Sequence, residues 1–391
     1  MAPHILPRFA RPAAAWLVLM LVASRAHAQE ILLLDPSARA GGMGGASVAV
    51  GWGGTPNLWA NPALVNASRG FGVQVTTQQL VPGLDGGDLP FATTRLTASI
   101  AGLGFSSTGR PLGGDELDFG PPFVALERVR ADGFGLSAAG LVDAWFGARG
   151  RNLRLSDYAD VAWGRQWKRL EVENVLAAFA VGAHDEGWYV RATPIDTRRG
   201  VNAPMGGLRI DVAYGHAELD QGHPALSPGG LFGLVPLPVM RRDGAAIHLL
   251  WLGPVRTGQP GAAFTDAFRG GLSPVVNLTL AWDRERVERP GFSFSEGSAY
   301  DVNHYGLEAT VLRLLAARFG YLDDASGLIT KPTWGFGLHL PVSRTADVRY
   351  DFASWPQSYP RRVYRHEVAL RLDPLARWMG GHDDEGEGGT P

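Results

Sequence analysis

From residue 70 to residue 372 the sequence alternates apolar and polar side chains at a period of two, in segment after segment, and this pattern dictates strands rather than helices. Leu208, Ile210, Val212 and Tyr214 fall on one face, with Arg209, Asp211, Ala213 and Gly215 on the other. The device returns at Val276–Trp282, at His304–Val311 and at Leu315–Tyr321. It closes with Trp334–Leu340, Ala346–Phe352 and His366–Leu372. Weaker, glycine-rich candidates lie near 71–79, 93–105, 122–130, 133–146, 157–168, 170–183, 187–193 and 244–252. About fifteen candidates result, which suits an all-β fold of about 14 strands. After residue 28 no run of 18 apolar residues occurs, so a chain that resides in a membrane must cross it with strands.

Alternation alone also suits a soluble sandwich or propeller, and aromatic placement separates the two. Trp282 precedes Asp283-Arg284, Trp334 follows Lys331-Pro332, and Tyr321 precedes Asp323-Asp324. Aromatics at strand ends beside charges read as interfacial girdles, so the expectation is a closed antiparallel transmembrane barrel. Its apolar faces meet lipid, and Arg209, Asp211, Glu308, Arg318, Arg349 and Asp351 become lumenal charges. Asp347, Glu367 and Arg371 share that inward reading, as a web of ion pairs bracing the barrel.

The rest of the chain divides around the barrel. Arg8 and Arg11, an apolar stretch from Ala13 to Ala23 and the small-x-small triplet Ala26-His27-Ala28 predict a cleaved signal peptide over 1–28. Residues 29–69 lack sustained alternation and are rich in small residues, from Gly41-Gly42-Met43-Gly44-Gly45 to Trp52, Trp59 and the turn Asn61-Pro62. This segment reads as an N-terminal plug in the lumen, with Met43, Trp52, Trp59, Asn61 and Pro62 as its gate residues. The barrel takes 70–373, and 374–391 is an acidic, solvated C-terminal tail.

Chemistry is absent from the motifs. There is no cysteine, no G-x-S-x-G, no H-E-x-x-H, and the glycines at 41–45 do not space as a dinucleotide loop. Lys168 and Lys331 are the only lysines, arginine supplies the other basic residues, and the formal net charge is −2, so nucleic acid is not an expected partner. His304, His339 and His366 read as lumen-facing hydrogen-bonding residues, and Asp323-Asp324 as turn residues rather than a calcium site. No cofactor, no metal and no enzymatic activity are expected.

Ser37-Ala38-Arg39-Ala40-Gly41-Gly42-Met43-Gly44-Gly45-Ala46, followed by Val48-Ala49-Val50 and Trp59-Ala60-Asn61-Pro62-Ala63-Leu64, resembles the N-terminus of the FadL-like PorV/PorQ group of outer-membrane proteins. Tyr305-Gly306-Leu307-Glu308, Ala317-Arg318-Phe319-Gly320-Tyr321, Trp334-Gly335-Phe336-Gly337-Leu338 and Tyr350-Asp351-Phe352 resemble that group's closing strands. The resemblance implies a fourteen-stranded bacterial outer-membrane barrel plugged by its N-terminal segment, with both termini periplasmic. It further implies passage of hydrophobic small molecules through a pocket and a lateral opening or, in the PorV branch, accessory work on secreted proteins. In that second case long outer loops such as 217–243 and 253–271 would contact cargo.

Overall fold

The computed structural model describes residues 35–373, apart from 53–54, 68–69, 80–89, 110–124, 151–153, 175–177, 198–206, 221–238, 254–272, 290–297, 313, 325–329, 344–345 and 357–361. The expected signal peptide, the acidic tail and most of the two loops assigned to cargo lie outside these residues. The strands are β1 (Gly70–Gln79), β2 (Pro90–Ile100), β3 (Leu103–Gly109), β4 (Ala125–Ser137), β5 (Ala159–Asn174), β6 (Ala178–Asp196) and β7 (Gly207–Asp220). They continue as β8 (Val239–Gly253), β9 (Ser273–Arg289), β10 (Ser298–Val311), β11 (Leu315–Asp324), β12 (Thr330–Ser343), β13 (Ala346–Pro356) and β14 (Arg362–Leu372). Each pairs antiparallel with its sequence neighbours, and β1 closes on β14 from Phe71↔Leu372 to Gln78↔Arg365. The result is a closed fourteen-stranded barrel, the expected fold, and closure leaves no strand edge unpaired.

The faces fall as the charges demand. Leu208, Val212 and Tyr214 are exposed on the outside, whereas Arg209 and Asp211 are buried inside. Tyr214, Ala245, Trp282, Tyr305 and Tyr321 stand on one register row of the outer surface. Toward one end of the barrel the next outward positions on β7, β8 and β9 are His216, Asp243 and Arg284, so an aromatic row marks the edge of the apolar belt. On β12 the outward residues Trp334 to Val342 extend the belt about 26 Å along the strand, or about 20 Å along the axis at a tilt of about 40°. Among the described residues no helix is long and apolar enough to cross a membrane.

Several expectations need correction. Residues 133–146 are not one strand: β4 ends at Ser137, and Ala138–Gly147 form an α-helix, α2. Ser137 Oγ accepts from Gly140 N at 2.9 Å and donates to Asp160 Oδ1 at 2.8 Å, which caps the helix from its far side. The 93–105 segment is a hairpin, β2 to β3, turning at Ala101 (φ 56°) and Gly102 (φ 83°). His366 points outward and shares a 2.9 Å hydrogen bond with Tyr350 Oη, while His304 and His339 face inward as expected. The expected loop 217–243 begins and ends inside strands, since 217–220 belong to β7 and 239–243 to β8, and strand order places the β7–β8 and β8–β9 connections at opposite ends of the barrel.

Candidate functional site

The segment from residue 35 to residue 67 packs against the inward-facing residues of the wall, and its own sequence explains why it depends on them. Its first element, α1 (Ala38–Gly42), has five residues, too few to hold a helix unaided. Ser37 caps it, accepting from Ala40 N at 3.2 Å and donating to Glu367 Oε2 on β14 at 3.2 Å. Glu367 also accepts from Ala38 N at 3.0 Å, placing a carboxylate where the first helical N–H groups lack partners.

Arg39 then enters a buried ion chain. Its Nε and Nη2 donate to Glu308 on β10 at 2.9 and 2.7 Å. Glu308 accepts in turn from Arg318 Nε on β11 at 2.6 Å, and Arg318 Nη1 lies 2.7 Å from Asp351 Oδ1 on β13. The bidentate arginine contact fixes direction as well as charge.

Beyond α1 the backbone itself touches the wall. Gly44 and Gly45 take positive φ, 69° and 90°, and the wall's donors and acceptors meet the chain on either side of that turn. Thr333 Oγ1 donates to Gly42 O at 3.1 Å, and His304 Nδ1 lies 2.6 Å from Gly44 O. Asp283 Oδ2 on β9 accepts from Ser47 N and Val48 N at 2.6 and 2.9 Å. Asn61 Nδ2 donates to Val48 O and to Trp188 O on β6, each at 3.0 Å, while its Oδ1 accepts from Ala63 N and starts the 3-10 turn Pro62–Asn66. Asparagine before proline is the expected opening of such a turn.

These approaches are possible because the wall carries glycine at the points where the segment comes closest. A Cβ on Gly306 would sit 2.7 Å from Met43 O and 2.9 Å from Met43 Cβ. Gly320 faces Met43 and Gly44, Gly335 faces Gly42, Gly215 and Gly244 face Val48, Gly187 faces Asn61 and Gly164 faces Pro62. A ring of strand glycines therefore follows the path of the segment, which accounts for part of a chain with 52 glycines.

Of the expected gate residues, Met43, Trp59, Asn61 and Pro62 are buried in this contact. Trp52 is half-buried, with Nε1 donating to Thr279 Oγ1 at 3.0 Å and its ring stacked on His248 at 5.2 Å. The expected charges form separate groups. Glu308, Arg318 and Asp351 hold the segment, whereas Arg209 and Asp211 pair with each other at 2.8 Å, with His248 Nδ1 3.2 Å from Asp211 Oδ2. Arg349 pairs with Asp347 at 3.2 Å, and Arg371 joins the same carboxylate at 2.8 Å. Sequence reasoning missed Arg39, Asp283, Arg95 and Lys168 as contacts; the wall residues among them stand at inward positions of the alternation, but their partners do not follow from period. Among the described residues no group of acids and histidines could hold a metal ion.

No family model matches the chain, and no curated protein matches it. Among solved structures it is similar to the Ralstonia pickettii toluene transporter TbuX, with 12% identity, a TM-score of 0.41, and coverage of 87% of this chain and 98% of that one. It is similar to the Pseudomonas putida toluene transporter TodX, with 12% identity, a TM-score of 0.37, and coverage of 87% and 98%. The translocator domain of the autotransporter NalP from Neisseria meningitidis gives 11% identity, a TM-score of 0.26, and coverage of 78% and 88%.

Proposed function

We propose that this chain is an outer-membrane barrel that admits hydrophobic small molecules, with residues 35–67 as its plug and Met43, Trp52, Trp59, Asn61 and Pro62 as gate residues. The observation that carries the reading is the glycine ring, because it brings the segment against the inner wall from β5 to β12 within a barrel whose outside is apolar. Charged anchors fix the 37–48 half of the segment, and one apolar cluster takes in Met43, Ala46, Ala49 and Val50 as well as Leu58, Ala63, Leu64 and Val65. An interior closed by a removable piece suits controlled passage; an apolar exterior suits residence in lipid. The cargo reading draws no comparable support, since the two loops it would use leave the barrel at opposite ends.

Deleting residues 40–67 tests this. Reconstituted in planar bilayers, the deleted barrel is expected to conduct more current per channel than the full chain, and to speed entry of toluene into liposomes. Toluene is the probe because two of the similar structures carry it in their names. Both chains should migrate differently on gels with and without boiling, the behaviour of a folded barrel. Equal conductance in two folded chains would overturn the plug.

A further inference from the structure

One register row of the inner wall runs Gln74, Arg95, Thr108, Ala131, Lys168 and Ala183, from β1 to β6. Arg95 and Lys168 are therefore two long cations about 14 Å apart at the backbone, three strand spacings, with only a threonine and an alanine between them. The space above those small residues is taken by Trp59 from the segment: its ring centroid lies 4.4 Å from Arg95 Cζ and 5.1 Å from Lys168 Nζ.

The two cations are not equally matched. Lys168 is ion-paired with Asp185 on β6. Arg95 has no carboxylate within ion-pairing distance among the described residues, and Asp35 and Asp185 act on it only from farther away. Its Nε donates to Thr108 Oγ1 at 3.0 Å, and Nη2 donates at 3.2 Å to Gln166 Oε1 when that amide is turned to satisfy both of its ends. Nη1 has no partner, although Arg95 is 2% exposed. A guanidinium cannot shed its charge, and an indole face with carboxylates beyond contact distance offsets only part of the cost of burying one.

We propose that Arg95 and Lys168 form a binding site for an aromatic carboxylate, and that Trp59 occupies this site when the segment is seated. The ligand's ring would take the place of the indole over the guanidinium, and its carboxylate would meet the free edge of Arg95 at Nη1. Binding and seating of the 57–66 half then exclude one another. The inference rests on the plug reading for its role in passage, but the site itself can be tested apart from passage.

Benzoate and toluene are the probes, titrated calorimetrically against the detergent-purified full chain. Trp59→Ala is expected to bind benzoate at least about tenfold more tightly than the unaltered chain, and adding Arg95→Gln should remove that gain. Toluene, lacking the carboxylate, should gain little. The 40–67 deletion offers the same site without the segment, and its benzoate binding should likewise vanish with Arg95→Gln. Benzoate affinity that ignores Arg95→Gln in both backgrounds, or toluene binding as tight as benzoate, would overturn the site. If conductance still rises on deletion while benzoate fails to bind, the plug stands and only the site is lost.

Discussion

Replacing Arg318 with leucine is expected to destabilise the barrel by about 3–5 kcal/mol and to loosen the start of the segment. Arg318 is fully buried and joins Glu308 to Asp351, and Glu308 is the carboxylate that holds Arg39. Without the guanidinium, Asp351 keeps only His339, at 3.7 Å, within ion-pairing distance among the described residues. Glu308 would keep Arg39, but Asp351 would be left buried without an arginine, and desolvation makes that arrangement costly. Urea unfolding in lipid gives the stability change. Limited trypsin digestion gives the second readout, since Arg39 is 4% exposed and should become cleavable in the variant. Adding Asp351→Asn should recover part of the loss by removing one stranded charge. A stability change below about 1 kcal/mol would mean that the ion chain behaves as surface pairs do, and would contradict its role as an anchor.

Gly306→Val is expected to unseat Met43 while leaving the barrel folded. The added atoms meet Met43 O and Met43 Cβ at distances no side chain tolerates, and the strand cannot retreat because both of its neighbours hold it in register. Overpacking of this kind costs about 1–3 kcal/mol, and the segment is the part most able to move. The variant should conduct as the 40–67 deletion does and should keep its heat-modifiable gel mobility. Leu307→Val, one residue away on the lipid side, serves as the control and should conduct as the unaltered chain. Gly306→Val with unaltered conductance would show that the wall and the segment are not in working contact there.

The faces were legible wherever charge marked one of them. On β7, β10 and β11 a single alternating register with Arg209, Glu308 or Arg318 decides inside from outside, because an ionised group cannot face hydrocarbon cheaply. The turn at Asn61-Pro62 was legible from local chemistry. What sequence hid has a common cause, namely dependence on a distant neighbour. Ala101 turns the β2–β3 hairpin with a left-handed conformation that alanine does not advertise. Residues 138–147 form a short apolar run that suits strand or helix, and Asp160, far along the chain, caps the helix by bonding Ser137 Oγ and Ala139 N. The partners of Arg39 and Trp59 depend on strand order around the barrel. Alternation gives the side of a residue; only closure gives its neighbour.

Glu367 lies on the strand that completes the cylinder, and it grips Ser37 from 330 positions away. The chain's earliest described residues are thus hooked by almost its last. The berth of the amino-terminal stretch is therefore complete only in a chain whose β14 is in place. A polypeptide cut short before Arg362 would lose its seam and its hook together, leaving an open sheet with an unhoused leader.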